Sequence, residues 1–170
     1  MSKNNINLHK KTFSSLTSKE ENFIFENFDE VAESLRVGRD IYSLKKYKDI
    51  KNKQEKKYFF REFMQKKEAE NCHIFLLYKT NLFKLQKLIG FAIVCNKLLS
   101  YLVINKKFRK QKYGTYLIKE LQKIYPELEA KIEINNPKLK EFYKKNDFKE
   151  NGFYIHPFTK DEFLVLKWRK

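Results

Sequence analysis

From Ser18 to Leu35 the apolar residues Phe23, Ile24, Phe28, Val31 and Leu35 recur at helical spacing. That pattern predicts a helix, with Thr17 or Ser18 placed to cap its start and Gly38 placed to end it. Asn52–Glu70 predicts a second helix, with Tyr58, Phe59, Phe63 and Met64 on or near one face and charge over the rest. The texture changes at Cys72. His73–Tyr78 is short, apolar and bounded by polar residues, which reads as a strand. Residues 80–87 turn the chain, and Leu88–Cys95 and Leu98–Ile104 follow as strands of a hairpin closed by Asn96-Lys97. Upstream, Asn5–Phe13 reads as a first strand.

Helical spacing returns over Gly114–Ile124, where Leu117, Ile118 and Leu121 share a face, and Tyr125-Pro126 ends the run. Ala130–Ile134 alternates as a strand does. Pro137 suits a helical first turn with Asn136 as its cap. Lys149–His156 and Glu162–Trp168 read as closing strands around a turn at Pro157–Asp161. The order is strand, two helices, three strands, helix, strand, helix, two strands. It predicts an α/β (α+β) fold with a mixed sheet, in which the Gly114 helix bridges a parallel pair.

Composition narrows the class. A chain of 170 residues with 42% hydrophobic and 16% aromatic content suits a single domain with a real core. Two cysteines, Cys72 and Cys95, are too few for a disulfide framework, and Cys95 in its apolar strand reads as a small buried hydrophobe. Their number points to a reducing compartment, and the N-terminal MSKNNINLHKK carries no apolar core of a signal peptide. The longest apolar runs fall short of a membrane span. The expectation is a cytoplasmic protein with no membrane partner. The net charge of +16 is spread along the whole chain, as in an ordinary solvated surface, yet it also steers anionic partners inward.

Chemistry concentrates in Leu102–Leu117, LVINKKFRKQKYGTYL. A strand ends in cations, passes one glycine and enters a helix, whose unpaired N–H groups and dipole favour phosphate. Downstream, Asn136 and Tyr143 sit on a second helix. Together these segments resemble the acyl-CoA site of the GNAT N-acetyltransferases. The family signature Arg/Gln-x-x-Gly-x-Gly/Ala corresponds to Arg109-Lys110-Gln111-Lys112-Tyr113-Gly114, preceded by Phe108 and followed by Thr115. Lys112 replaces the first signature glycine, which an L-residue can do only in a conformation open to it. The second family stretch, Asn-x-x-Ala-x-x-aliphatic-Tyr then Gly-Phe, corresponds to Asn136–Tyr143 and Asp147-Phe148, with Leu139 at the alanine and Asp147 at the glycine. Gly90 also stands where such enzymes carry glycine. The resemblance covers residues 73–168, and residues 18–70 correspond to the family's variable, substrate-facing helices.

The resemblance implies a mostly antiparallel sheet flanked by helices, with an acyl-CoA cleft between two splayed parallel strands. It implies backbone contacts from Val103 and Ile104 to pantetheine, a diphosphate held by Arg109, Lys110, Gln111, Lys112, Tyr113, Gly114 and Thr115, and a pantetheine bond from Asn136. Tyr143 would protonate the departing thiolate, with a strand amide near Ile104 polarising the carbonyl. Plain readings stand beside these: Asn136 as a cap alone, Tyr143 as a core aromatic. No acid lies on Leu98–Ile104, so Glu133 is the nearest base, ahead of His73, His156 and Tyr154. No zinc spacing, nucleophile elbow or dinucleotide fingerprint is present. The function implied is acetyl transfer from acetyl-CoA to a primary amine by direct attack, the acceptor including acidic or RNA-linked molecules and the enzyme a monomer or homodimer. The rival is a non-catalytic basic module on the same scaffold that grips nucleic acid or another acidic partner.

Overall fold

Buried positions alternate along β4 and β5 and run continuously through the middle of β2, β3 and β7, and side-chain caps start most of the helices packed on the sheet. The computed structural model describes residues 5–34, 50–157 and 160–170. Its elements are β1 (Asn5–Lys11), α1 (Ser18–Ser34), α2 (Lys53–Ala69), β2 (Cys72–Thr80), β3 (Gln86–Cys95), β4 (Leu98–Ile104), α3 (Tyr113–Ile124), β5 (Glu127–Glu133), α4 (Pro137–Lys144), β6 (Lys149–Ile155) and β7 (Glu162–Arg169). The order is the one the pattern predicts. Leu35 and Gly38, the predicted end of the first helix, lie outside the described residues, as does part of the Pro157–Asp161 turn.

The strands run longer than their apolar cores. β2 extends to Thr80 and β3 begins at Gln86 because Tyr78, Lys79 and Thr80 pair with Leu88, Lys87 and Gln86. β5 starts at Glu127, which pairs with Arg169. Backbone ladders accept polar residues as readily as apolar ones, so hydrophobicity marks only the buried part of a strand.

The 7-stranded sheet has the order β1-β2-β3-β4-β5-β7-β6. Every pairing is antiparallel except β4 with β5, which is parallel and holds at one register pair, Leu98↔Glu129. Beyond it the two strands part. On one face α1 and α2 bury Ile24, Phe60, Phe63 and Met64 against Phe91, Ile93, Tyr101 and Val103. On the other, α3 buries Leu117, Ile118 and Leu121 against Ala92, Val94, Leu128 and Ala130. Each such large side chain contributes about 1.5–3 kcal/mol on burial.

The cysteines correct the sequence reading. Cys72 and Cys95 face each other across β2 and β3 and form a disulfide, so Cys95 is half-buried and bonded rather than a lone hydrophobe. Strand register, which no cysteine count reveals, brings them together. Among the described residues no helix is long and apolar enough to cross a membrane.

Candidate coenzyme site

Where β4 leaves β5, its β5-facing peptide groups have no strand partner among the described residues. Gly90 of β3 lies opposite Ile104, and a Cβ there would stand 2.6 Å from both the Val103 carbonyl oxygen and Ile104 Cδ1. Glycine at this point lets the end of β4 lie close against β3. Past Ile104 the chain turns sharply. The Asn105 side-chain oxygen accepts from the Lys107 amide at 3.1 Å, and Arg109 Nε donates to the Ile104 carbonyl at 2.9 Å. Arg109 therefore ties the loop back onto the strand it left.

Lys110 and Lys112 are both left-handed, with φ of 60° and 64°. Each costs about 1–2 kcal/mol relative to an ordinary conformation. Alternating left-handed residues turn successive N–H groups inward and make a concave anion seat. Lys112 is the N-cap of α3 and makes no side-chain cap bond. The first bond along the helix is from Tyr116 N–H to the Lys112 carbonyl, so the amides before it have no helical acceptor. Gly114 sits against α4, where a Cβ would meet Phe142 at 3.3 Å.

A cavity of about 570 Å³ opens here. Val103 and Ile104 line it from β4, and Arg109, Lys110, Lys112, Tyr113, Gly114 and Thr115 from the loop and helix start. The sequence had brought these residues together. Leu102 and Phe142 join them as apolar walls, as does Phe108. Two further cations reach the same aromatics. Lys79 lies 5.7 Å from the Tyr113 ring centroid and Lys87 5.2 Å from that of Phe108. Their places on β2 and β3 gave no sequence signal, because only sheet pairing sets them beside the loop.

Gln111, Asn136, Tyr143 and Glu133 are not in the lining. Gln111 donates to the Lys107 carbonyl at 3.4 Å. Asn136 spends its side-chain oxygen on the Leu139 amide at 3.0 Å, capping α4. Tyr143 is buried between Phe142 and Phe148, with ring centroids 5.4 and 5.1 Å away. Burial raises its phenol above the ordinary value, so it holds its proton at neutral pH. Glu133 ends β5 half-buried, on the face opposite Leu128, Ala130 and Ile132. Of the weaker base options, His156 is buried and His73 half-buried, its pKa lowered by burial and then by Lys10. Tyr154 lies under Lys131, whose ammonium is 3.9 Å from the ring centroid.

Residues 70–150 match the family model described as the acetyltransferase (GNAT) domain. Over that stretch, just under half of the chain, it resembles the GNAT family. The sequence matches no curated protein. Among solved structures the chain resembles the spermidine N-acetyltransferase of Vibrio cholerae in complex with CoA and spermine, at 13% identity and a TM-score of 0.65, covering 95% of each chain. It also resembles a dodecameric structure of the Vibrio cholerae enzyme, at 11% identity and a TM-score of 0.60, covering 96% of this chain and 93% of the other. At such identities the likeness is one of fold. In GNAT terms Lys112 and Asp147 fill two glycine positions of the family pattern, and both keep the left-handed backbone, at φ of 64° and 67°.

Proposed function

We propose that the chain is a GNAT N-acetyltransferase that uses acetyl-CoA and moves the acetyl group by direct attack of a neutral primary amine, without an acetyl-enzyme intermediate. The observation that carries the reading is the uncapped start of α3, cationic and concave, at the mouth of the β4–β5 gap. The coenzyme's diphosphate takes the open amides, with Arg109, Lys110 and Lys112 around it, and Gln111 and Asn136 completing the binding set. Pantetheine follows the unpaired edge of Val103 and Ile104 as an added strand would. A strand amide near Ile104 receives the developing negative charge on the carbonyl oxygen.

Tyr143 acts as the general acid toward the thiolate. Burial keeps its phenol protonated at neutral pH, so it can donate a hydrogen bond to the departing sulfur. Glu133 takes the proton of the amine, from the sheet face away from α3 and α4. The acceptor is a small or polymer-linked amine, and spermidine enters the first panel because the structures that the fold resembles are named for it. The chain works as one domain, α1 and α2 forming its acceptor-facing segment.

A thiol-release assay with acetyl-CoA across a panel of amines tests this. Tyr143→Phe should lower kcat roughly 100-fold with little change in the KM for acetyl-CoA. A kcat unchanged in that variant, for an amine the wild type acetylates, removes Tyr143 from the chemistry.

A further inference from the structure

A second cavity, of about 860 Å³, shares Phe108 in its lining with the coenzyme cavity. The turn between β2 and β3, the start of α1 and the loop after β4 enclose it. Its cations are Lys19, Lys79, Lys87 and Lys107. None of the four is ion-paired to a carboxylate among the described residues, whereas Lys11, Lys67, Lys119, Lys144 and Lys167 all are.

The cavity holds one carboxylate, Glu20, and that group is already saturated. It accepts from the Tyr78 hydroxyl at 2.6 Å, the Thr17 amide at 2.7 Å and the Lys11 ammonium at 2.9 Å. Burial alone would push its pKa up; these donors outweigh it and bring it down to about 2. Glu20 thus stays ionised and has little left to offer a cationic ligand. Between the lysines the walls are flat and apolar: Phe23, Tyr78, Leu88 and Phe108.

Ammonium groups with no carboxylate partner, of which Lys79 and Lys87 stand over the Tyr113 and Phe108 rings, suit together with aromatic walls one ligand chemistry: a planar ring carrying several negative charges. We infer that this cavity is a binding site for a nucleoside polyphosphate, separate from the coenzyme cradle and sharing the Phe108 wall with it. The base packs among the aromatic side chains while the phosphates meet the lysines. A polyamine, by contrast, is repelled from it.

The test is calorimetric titration of ATP into the full chain saturated with CoA. ATP should bind beside the coenzyme, and inorganic triphosphate, which has no base to stack, should bind at least roughly tenfold more weakly. Lys19→Glu combined with Lys87→Glu should weaken ATP at least about tenfold, with circular dichroism reporting the fold; Lys87→Gln offers a milder version that adds no acid. Three results overturn the inference: no ATP binding once CoA saturates the protein, equal affinity for ATP and triphosphate, or unchanged ATP affinity in the folded lysine variants.

Discussion

The starts of α3 and α4 use their backbone donors in opposite ways. At α4, Asn136 closes the helix with its own side chain and Pro137 removes a donor altogether. At α3, Lys112 makes no cap, and the loop before it is twisted left-handed twice. One helix start is closed by its own side chain; the other has no side-chain cap. The same finishing is seen at α2, where Asn52 accepts from the Gln54 and Glu55 amides, and at α1, where Thr17 and Glu20 exchange bonds. Residue type alone therefore does not assign a helix start to binding. What matters is whether the cap position can satisfy the donors itself.

The comparison can be broken most severely at Lys112. Lys112→Asp places a carboxylate where the phosphate charge belongs, and the Kd for acetyl-CoA should rise roughly 30-fold, the scale of one charge-assisted hydrogen bond lost. An unchanged Kd by calorimetry would remove the cradle from coenzyme binding. At the start of α1, Glu20→Gln should cost about 1–3 kcal/mol near neutral pH by weakening three hydrogen bonds in a largely buried network. The depressed pKa of Glu20 gives the effect its sign. Its contribution is present above the ordinary carboxylate value of 4.5 and is lost as pH falls through about 2. Denaturant melts across that range should therefore fall less steeply for Glu20→Gln than for wild type.

Asn136→Ala should cost about 1 kcal/mol of stability as a lost cap. If the KM for acetyl-CoA rises strongly as well, Asn136 reaches the coenzyme in addition to capping α4. The smallest change is expected from Lys112→Gly, which relieves left-handed strain of about 1 kcal/mol and restores the family glycine. Stability should rise while coenzyme affinity falls a few-fold, because the amides remain and one ammonium goes. A fall in stability would show that the lysine side chain supports the loop.

The chain's periodicity was enough for the element order, because burial imposes a two-residue repeat on strands and a helical repeat on α1 to α4. The loop Arg109–Thr115 was legible too: cations, one glycine and a following amphipathic helix are adjacent in sequence, and they stay adjacent in the site. Lys79, Lys87 and the Cys72–Cys95 bond were not. They depend on which residues face each other across strands, and register is decided by packing of the whole sheet.

The sequence by itself determined the secondary elements, the position of the cationic turn before α3 and the family resemblance. Tertiary structure alone decided that Lys112 takes the glycine conformation, that Asn136 is engaged as a cap, and that Phe142 rather than Tyr143 lines the cavity. The physical reason is range. Helical and strand periodicity is written in neighbours a few residues apart, whereas cavities, free donors and strand partners arise from segments that meet only when the sheet closes.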